Sequence, residues 1–247
     1  MEIIAHRGAS FDAPENTLSS LRLGYQQNAD ACEVDVHLTR DRRVIVLHDE
    51  DMARIAGVPN RVVESTFEEL RHLEIGQWGN WKGKGFCEKV PALEEALALI
   101  PKGKRLFIEI KDGAEALLPL AQLLESGGKN SEQTALIGFD YDTMRAAKIR
   151  LADHTIYWVV DADSKGYPPV HELIKKALAA SFDGLDLEKG FPIEGVLVDA
   201  VHQAGLKLYT WTVDDLETAR KQAAAGVDGI TTNRPGWLRE QLIHSVS

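Results

Sequence analysis

Short apolar runs alternate along the chain with longer stretches in which apolar residues recur every three or four positions. Candidate strands lie at Ile3–His6, Ala31–His37, Val44–Leu47, Leu106–Ile110, Ala135–Gly138, Ile156–Val160, Phe182–Leu187, Leu206–Trp211 and Gly229–Thr232. Several are continuous and β-branched, as strands covered on both faces are. Between most of them the period is helical. Leu18, Leu21 and Tyr25 share a face of ENTLSSLRLGYQQ, and PALEEALALI, EALLPLAQLLES, YDTMRAAKIRL, HELIKKALAAS, EGVLVDAVHQAG and DLETARKQAAAG read alike. Repeated strand-then-helix units predict a parallel sheet. Helices that end in Ala-Gly before Leu-Lys-Leu or Val-Asp-Gly-Ile carry the glycine C-cap that precedes a new strand.

Nine strands exceed a (β/α)8 barrel by one, and one connection accounts for the excess. Only Leu38–Arg43 separates the strand ending at His37 from the one starting at Val44. A parallel crossover needs about a dozen residues or more. Val44–His48 is therefore expected to return antiparallel, with a turn near Asp41 and His48 opposite Val34. The expected fold is a single α/β domain over residues 1–247, a (β/α)8 TIM barrel with an insertion at about 50–89. That insertion breaks the rhythm with Gly57, Pro59, Gly76, Gly79, Gly83 and Gly85 and reads as holding one short helix, TFEELRHL. Trp78, Trp81 and Phe86 are expected to pack it. In barrels such insertions sit over the catalytic face.

Charge narrows the partners. The chain of 247 residues carries a formal net charge of −10, which disfavours nucleic acid, and an anionic substrate needs a local cationic site. Cys32 and Cys87 are expected to be free thiols in a reducing compartment. MEIIAHRG shows neither the basic flank nor the apolar core of a signal peptide, and no apolar run reaches the length of a membrane span. The expectation is a cytoplasmic protein with no nucleic-acid partner and no membrane span. The oligomeric state is not legible.

The chemistry gathers at strand ends. In ACEVDVHLT, Glu33, Asp35 and His37 alternate with Val34 and Val36, which puts three polar side chains on one face about 7 Å apart. Glu109 and Lys111 share a face across Ile110. His6 and His48 each close an apolar run. A polar residue at the C-terminal end of an apolar strand is where barrel enzymes place their sites. Glu33, Asp35 and Glu109 brought together would repel one another, and one divalent cation removes the conflict. All-oxygen ligation points to Mg2+ or Ca2+. His6 and His48 are candidates for general base and acid. Arg7 and Lys111 would hold an anion, or else pair with the nearby acids. Trp211 offers an apolar wall for a substrate or an ordinary core ring. Glu15, which could orient Arg7 or His6, and His37 stand behind these groups. His72, in the insertion helix, and His154, His171, His202 and His244 are expected to be structural or solvated. Asn16 or Thr17 can cap the first helix, and the PENT segment is expected mainly to start it, with Gly8 turning the backbone away from the site.

With these residues identified, the chain resembles the glycerophosphodiester phosphodiesterase family. The motifs are AHRG, PENT, the E-x-D of Glu33 and Asp35, His48-Asp49, EIK at Glu109–Lys111, the WTVD of Trp211–Asp214, and GVDGITTNRP, in the family's order over nearly the whole chain. The resemblance implies a TIM barrel that hydrolyses a small-molecule glycerophosphodiester to an alcohol and glycerol 3-phosphate. It implies one divalent cation on Glu33, Asp35 and Glu109, acid–base work by His6 and His48, and phosphate contacts from Arg7 and Lys111. It also implies attack by the substrate's glycerol 2-hydroxyl, giving a cyclic phosphate that water opens. Two rival functions share these residues: a phospholipase D-like phosphotransferase that stops at the cyclic phosphate, and a non-catalytic phosphate-ligand binding protein. Three departures stand out. The family's T-x-D-G turn is Thr39-Arg40-Asp41-Arg42, a common strand-end serine is Gly138, and the common Thr-Asp is Thr232-Asn233.

Overall fold

The computed structural model describes residues 1–127, 132–164 and 166–243. Among these residues nine strands form one sheet: β1 (Glu2–Ala5), β2 (Ala31–Leu38), β3 (Val44–Val46), β4 (Arg105–Ile110), β5 (Thr134–Gly138), β6 (Thr155–Val160), β7 (Gly184–Glu188), β8 (Lys207–Trp211) and β9 (Gly229–Thr232). All neighbours except β2 and β3 are parallel, and pairing of β1 with β2 closes eight strands into a barrel. Around it run α1 (Leu18–Gln26), then α2 (Ala53–Ala56) and α3 (Phe67–Arg71) in the insertion, and α4 (Leu93–Ala98), α5 (Leu117–Ser126), α6 (Tyr141–Arg150), α7 (Val170–Ala179), α8 (Gly195–Gln203), α9 (Leu216–Ala225) and α10 (Pro235–Ile243). The nine expected strands are all present, with ends shifted by no more than two residues. Among the described residues no helix is long and apolar enough to cross a membrane.

The hairpin forms as the loop length requires. Val36 pairs with Val46 and Leu38 with Val44, and the Leu47 N–H donates to the Asp35 carbonyl at 3.0 Å. Continuing that register sets His48 level with Val34, although the ladder itself ends at Val46. At the turn the Arg42 N–H donates to the Thr39 carbonyl at 2.9 Å. Arg42 adopts a left-handed φ of 62°, the conformation a glycine takes without cost.

The insertion is richer than the single helix expected. Besides α3 it holds α2 and two 3₁₀ turns, Val62–Glu64 and Gly79–Trp81. Elements of three or four residues are too short to show a period, so the pattern hid them. They close over a small core of Ile45, Leu47, Met52, Ile55, Val62, Leu70, Ile75 and Val90. Trp81 meets Phe86 edge-to-face at 5.4 Å, and Trp78 packs against the same core.

Strand alternation gives the barrel two surfaces. Outward residues such as Ile3, Val34, Ile108 and Leu185 pack under the helices. Inward residues Ile4, Ala31, Phe107, Ala135, Ile137, Tyr157, Val159 and Tyr209 fill the lumen. The rings of Phe107, Tyr157 and Tyr209 lie 4.6–5.7 Å apart. Beside them the Tyr209 hydroxyl donates to Glu2 at 2.9 Å, and Arg105 pairs with Glu2 at 3.3 Å. This plug closes the N-terminal end, so the next inward residues along the strands face the C-terminal mouth.

Of the remaining histidines, His72 caps α3 at its C-terminal end and His202 pairs with Asp228 at 2.8 Å. His154 is buried and His171 exposed, and His244 lies outside the described residues. Cys32 is buried, Cys87 exposed, and both are free.

Candidate active site

Two neighbouring strands supply the acidic centre. Asp35 on β2 lies in register with Glu109 on β4, and Glu33 sits two residues before Asp35 on the same inward face. Ligand atoms of all three lie within 4.8 Å of one another, and all three residues are buried. Glu33 accepts the Arg7 backbone N–H at 2.8 Å, while its other oxygen has no hydrogen-bond partner. Lys111 Nζ stands 2.6 Å from Glu109 and 3.0 Å from Asp35, and Arg7 Nε stands 3.1 Å from Asp35.

Burial, then repulsion from Asp35 and Glu109, pushes Glu33 far above the usual carboxylate range. Burial and Asp35 push Glu109 up to about 7. At Asp35 burial is outweighed by Arg7 and Lys111, which hold it down to about 2. A further positive centre beyond the two side-chain cations would keep all three ionised. The orphaned Glu33 oxygen and the all-oxygen donor set fit a hard divalent cation, which these residues could hold.

The β1 end is shaped by a tight turn. Arg7 and Gly8 both take positive φ, 55° and 79°. A side-chain carbon on Gly8 would stand 2.5 Å from Ser20 of α1, so only glycine brings this turn so close to the helix. The turn leaves His6 against the far end of the barrel seam, where its Nδ1 lies 2.8 Å from the Asn233 side-chain oxygen. Ser10 donates to that same oxygen at 2.7 Å, and the Asn233 amide N–H donates to Asp214 at 2.5 Å. With the amide nitrogen committed to a carboxylate, its oxygen must accept from His6. Nδ1 therefore carries the proton and Nε2 keeps its lone pair. Burial, then the Arg7 charge, lowers His6 to about 4, so the ring is neutral at pH 7.

A second part of the site is built from β3 and the insertion. His48 Nδ1 lies 2.7 Å from Asp49. Burial lowers the His48 pKa against the pull of Asp35 and Asp49. Arg54 grips Asp49 through Nε at 2.6 Å and Nη2 at 3.0 Å, and grips Glu15 through Nη2 at 2.8 Å and Nη1 at 3.3 Å. Glu15 in turn accepts from Arg7 at 2.9 Å. His37 lies behind His48, with Nδ1 2.7 Å from Asp112 and Nε2 3.1 Å from the His48 carbonyl. Asp112 outweighs the effect of burial and raises the His37 pKa. Donation from both ring nitrogens fits that charged form.

The PENT segment needs correction. Only Thr17 serves the helix: it forms a reciprocal capping box with Ser20. Asn16 instead takes φ 56° and turns back to β2, donating to the Asp35 carboxylate at 2.8 Å and accepting the Asp35 N–H at 3.2 Å. Glu15 reaches Arg7, as the expectation of an orienting role allowed. A left-handed asparagine leaves no periodic signature, which is why the sequence pattern assigned these residues to the helix start.

Trp211 donates to the Asp186 carbonyl at 3.3 Å and meets Phe139 edge-to-face at 5.3 Å. Lys111 lies 5.9 Å from the Phe139 ring centre, so the two rings wall the cationic side of the site. Below them Asp186 points inward, buried, with one oxygen unpartnered. Burial, then Glu109, pushes it up to about 8. In the sequence Asp186, Arg54, Asp112 and Asp214 carry no pattern that marks them as site residues, and Asn233 stands out only as a departure. The His-Asp doublet was the one signal for Asp49. No spacing rule pairs residues so far apart in the chain.

The sequence model of the Glycerophosphoryl diester phosphodiesterase family matches residues 6–237. A glycerophosphodiester phosphodiesterase of Caldanaerobacter subterraneus subsp. tengcongensis is 32% identical over 241 residues, covering 96% of this chain and 95% of that protein. The structure of an Oleispira antarctica phosphodiesterase, in complex with the product sn-glycerol-3-phosphate, superposes with a TM-score of 0.87 at 26% identity, covering 98% of this chain and 97% of that one. A glycerophosphodiester phosphodiesterase from Parabacteroides distasonis gives a TM-score of 0.80 at 26% identity, covering 100% and 98%. The chain belongs to the glycerophosphoryl diester phosphodiesterase family of hydrolases.

Proposed function

We propose that this protein hydrolyses glycerophosphodiesters to an alcohol and glycerol 3-phosphate, using one divalent cation, Mg2+ or Ca2+, held by Glu33, Asp35 and Glu109. The observation that carries the reading is the pair of histidines flanking one carboxylate trio, each fixed through Nδ1 by a different partner, Asn233 or Asp49. The product bound to the Oleispira antarctica relative supports glycerol 3-phosphate as the product here.

Arg7 and Lys111 supply positive charge to the phosphate, the guanidinium as a fork and the ammonium as a point. The cation, when bound, would add Lewis-acid stabilisation of charge on a phosphoryl oxygen. Neutral His6 is ready to take the proton of the substrate's glycerol 2-hydroxyl through Nε2. As that oxygen bonds to phosphorus, the bond to the alcohol oxygen breaks and His48 gives it a proton. Asp35 and Asp49 pull His48 towards the charged form that this needs, against the burial that lowers its pKa. The cyclic phosphate is then opened by water, with the two histidines exchanging roles. Trp211 and Phe139 provide the wall for the departing alcohol.

The test is a panel of glycerophosphodiesters with added Mg2+ or Ca2+ and a chelated control, with products read by phosphorus NMR. Glycerol 3-phosphate should accumulate only with the cation. Accumulation of cyclic phosphate would instead identify a phosphotransferase. Binding without turnover under the same conditions would identify a ligand-binding protein.

A further inference from the structure

Among the described residues Arg54 is the one insertion residue that bonds to the carboxylates behind both His48 and Arg7. We infer that Arg54 is a positioning residue: its guanidinium ties the carboxylate behind His48 to the carboxylate behind Arg7, holding the proton donor and the phosphate clamp in one frame. The inference rests on the functional reading above.

The geometry is specific to a planar fork. One edge of the guanidinium, Nε and Nη2, meets both oxygens of Asp49 at 2.6 and 3.0 Å. The other edge, Nη1 and Nη2, meets both oxygens of Glu15 at 3.3 and 2.8 Å. A lysine offers one point charge and cannot engage two carboxylates in this way. Glu15 lies in the loop between β1 and α1, whereas Asp49 follows β3, so the clip joins segments that share no strand pairing. Without it, two like charges would face each other there. The guanidinium carbon lies over the Trp78 ring, 4.7 Å from its centre, so the insertion core steadies the clip. From Glu15 the chain of contacts runs to Arg7 at 2.9 Å, and from Asp49 to His48 at 2.7 Å. The insertion thus reaches both the proton donor and the phosphate clamp through one side chain.

The experiment compares wild type, Arg54→Ala and Arg54→Lys on a glycerophosphodiester that wild type hydrolyses, with Mg2+ present. Displacing groups by about an ångström costs up to roughly a hundredfold in rate, so Arg54→Ala should lose about ten- to a hundredfold in kcat/KM. Arg54→Lys should recover little of it. The Arg54 side chain is 39% exposed, so added methylguanidinium should restore part of the Arg54→Ala activity, which it would not do for damaged packing. Combining Arg54→Ala with Asp49→Asn should cost no more in kcat than the worse single change, because both act through one link. The same should hold for KM when Glu15→Gln is added. Additive losses, absence of rescue, or an Arg54→Ala enzyme within about twofold of wild type would overturn the inference. Should Arg54→Ala fail to fold by thermal melting, Arg54→Lys, which keeps stem and charge, carries the same comparison: near-wild-type activity in it would overturn the inference. A wild type inert towards every diester in the panel would overturn the functional reading itself.

Discussion

The His6 imidazole donates from Nδ1 to the side-chain oxygen of Asn233, 2.8 Å away across the seam where β1 meets β9. A neutral partner at this position leaves the ring free to lose its second proton at low pH. Asn233→Asp places a carboxylate there, which favours the imidazolium and raises the His6 pKa from about 4, by about one unit or more. Only the deprotonated ring can accept the hydroxyl proton. With cation kept saturating at every pH, the acid limb of the kcat/KM–pH profile should therefore move to higher pH, and activity at low pH should fall. An unmoved acid limb would remove His6 as the base.

Loss of either histidine should be costly. His6→Ala and His48→Ala are each expected to lose about 10²–10⁴-fold in kcat, the usual scale of general acid–base help. Circular dichroism of each variant should match wild type, which separates lost chemistry from a lost fold. Turnover near wild type in both variants would remove the acid–base assignment.

Cation binding should depend on pH with a definite sign. Glu33 is held far above its ordinary range and Glu109 at about 7, so a cation must displace protons from them as pH falls. Affinity should weaken as pH drops below about 7, by about tenfold per unit for each proton displaced. Titration calorimetry in buffers of different ionisation enthalpy measures the release. Exhaustive chelation should abolish turnover, and full activity without cation would refute the metal assignment.

The hairpin turn offers a stability test away from the chemistry. Arg42 holds φ at 62°, a region that costs a residue with a β-carbon about 1–2 kcal/mol. Arg42→Gly removes that cost, loses the arginine's contact with the Glu115 carbonyl, and adds glycine's unfolded-state entropy. A net gain of about 0.5–1 kcal/mol is expected, raising Tm by about 1–4 °C. A lower Tm would show that the side-chain contact outweighs the backbone term.

What could be read from the sequence followed from period and count. Alternation in ACEVDVHLT put Glu33 and Asp35 on one face, and the short gap before Val44 forced the hairpin that brings His48 near them. Both depend only on local geometry. The links that hold the site together were not legible because they join distant residues. His6 finds Asn233 through barrel closure, and Glu15 finds Arg54 through the folding of an irregular insertion. Positive φ at Arg7, Asn16 and Arg42 is likewise invisible where the residue is not glycine. It is this backbone conformation that sends Asn16 to Asp35 rather than to the helix.

The packed rings of Phe107, Tyr157 and Tyr209, with Glu2 and Arg105 beneath, close the barrel axis at its N-terminal end and leave the C-terminal mouth as the doorway among the described residues. Whatever reaches the carboxylate trio enters and departs by the same opening. A reaction that splits one ligand into two at that depth cannot discharge both pieces at once, since the outer fragment stands in the path of the inner. For the diester cleavage proposed above, this geometry implies an order of release: the fragment nearer the mouth has to leave first, and the one lodged beside the acids sets how soon the next ligand can enter.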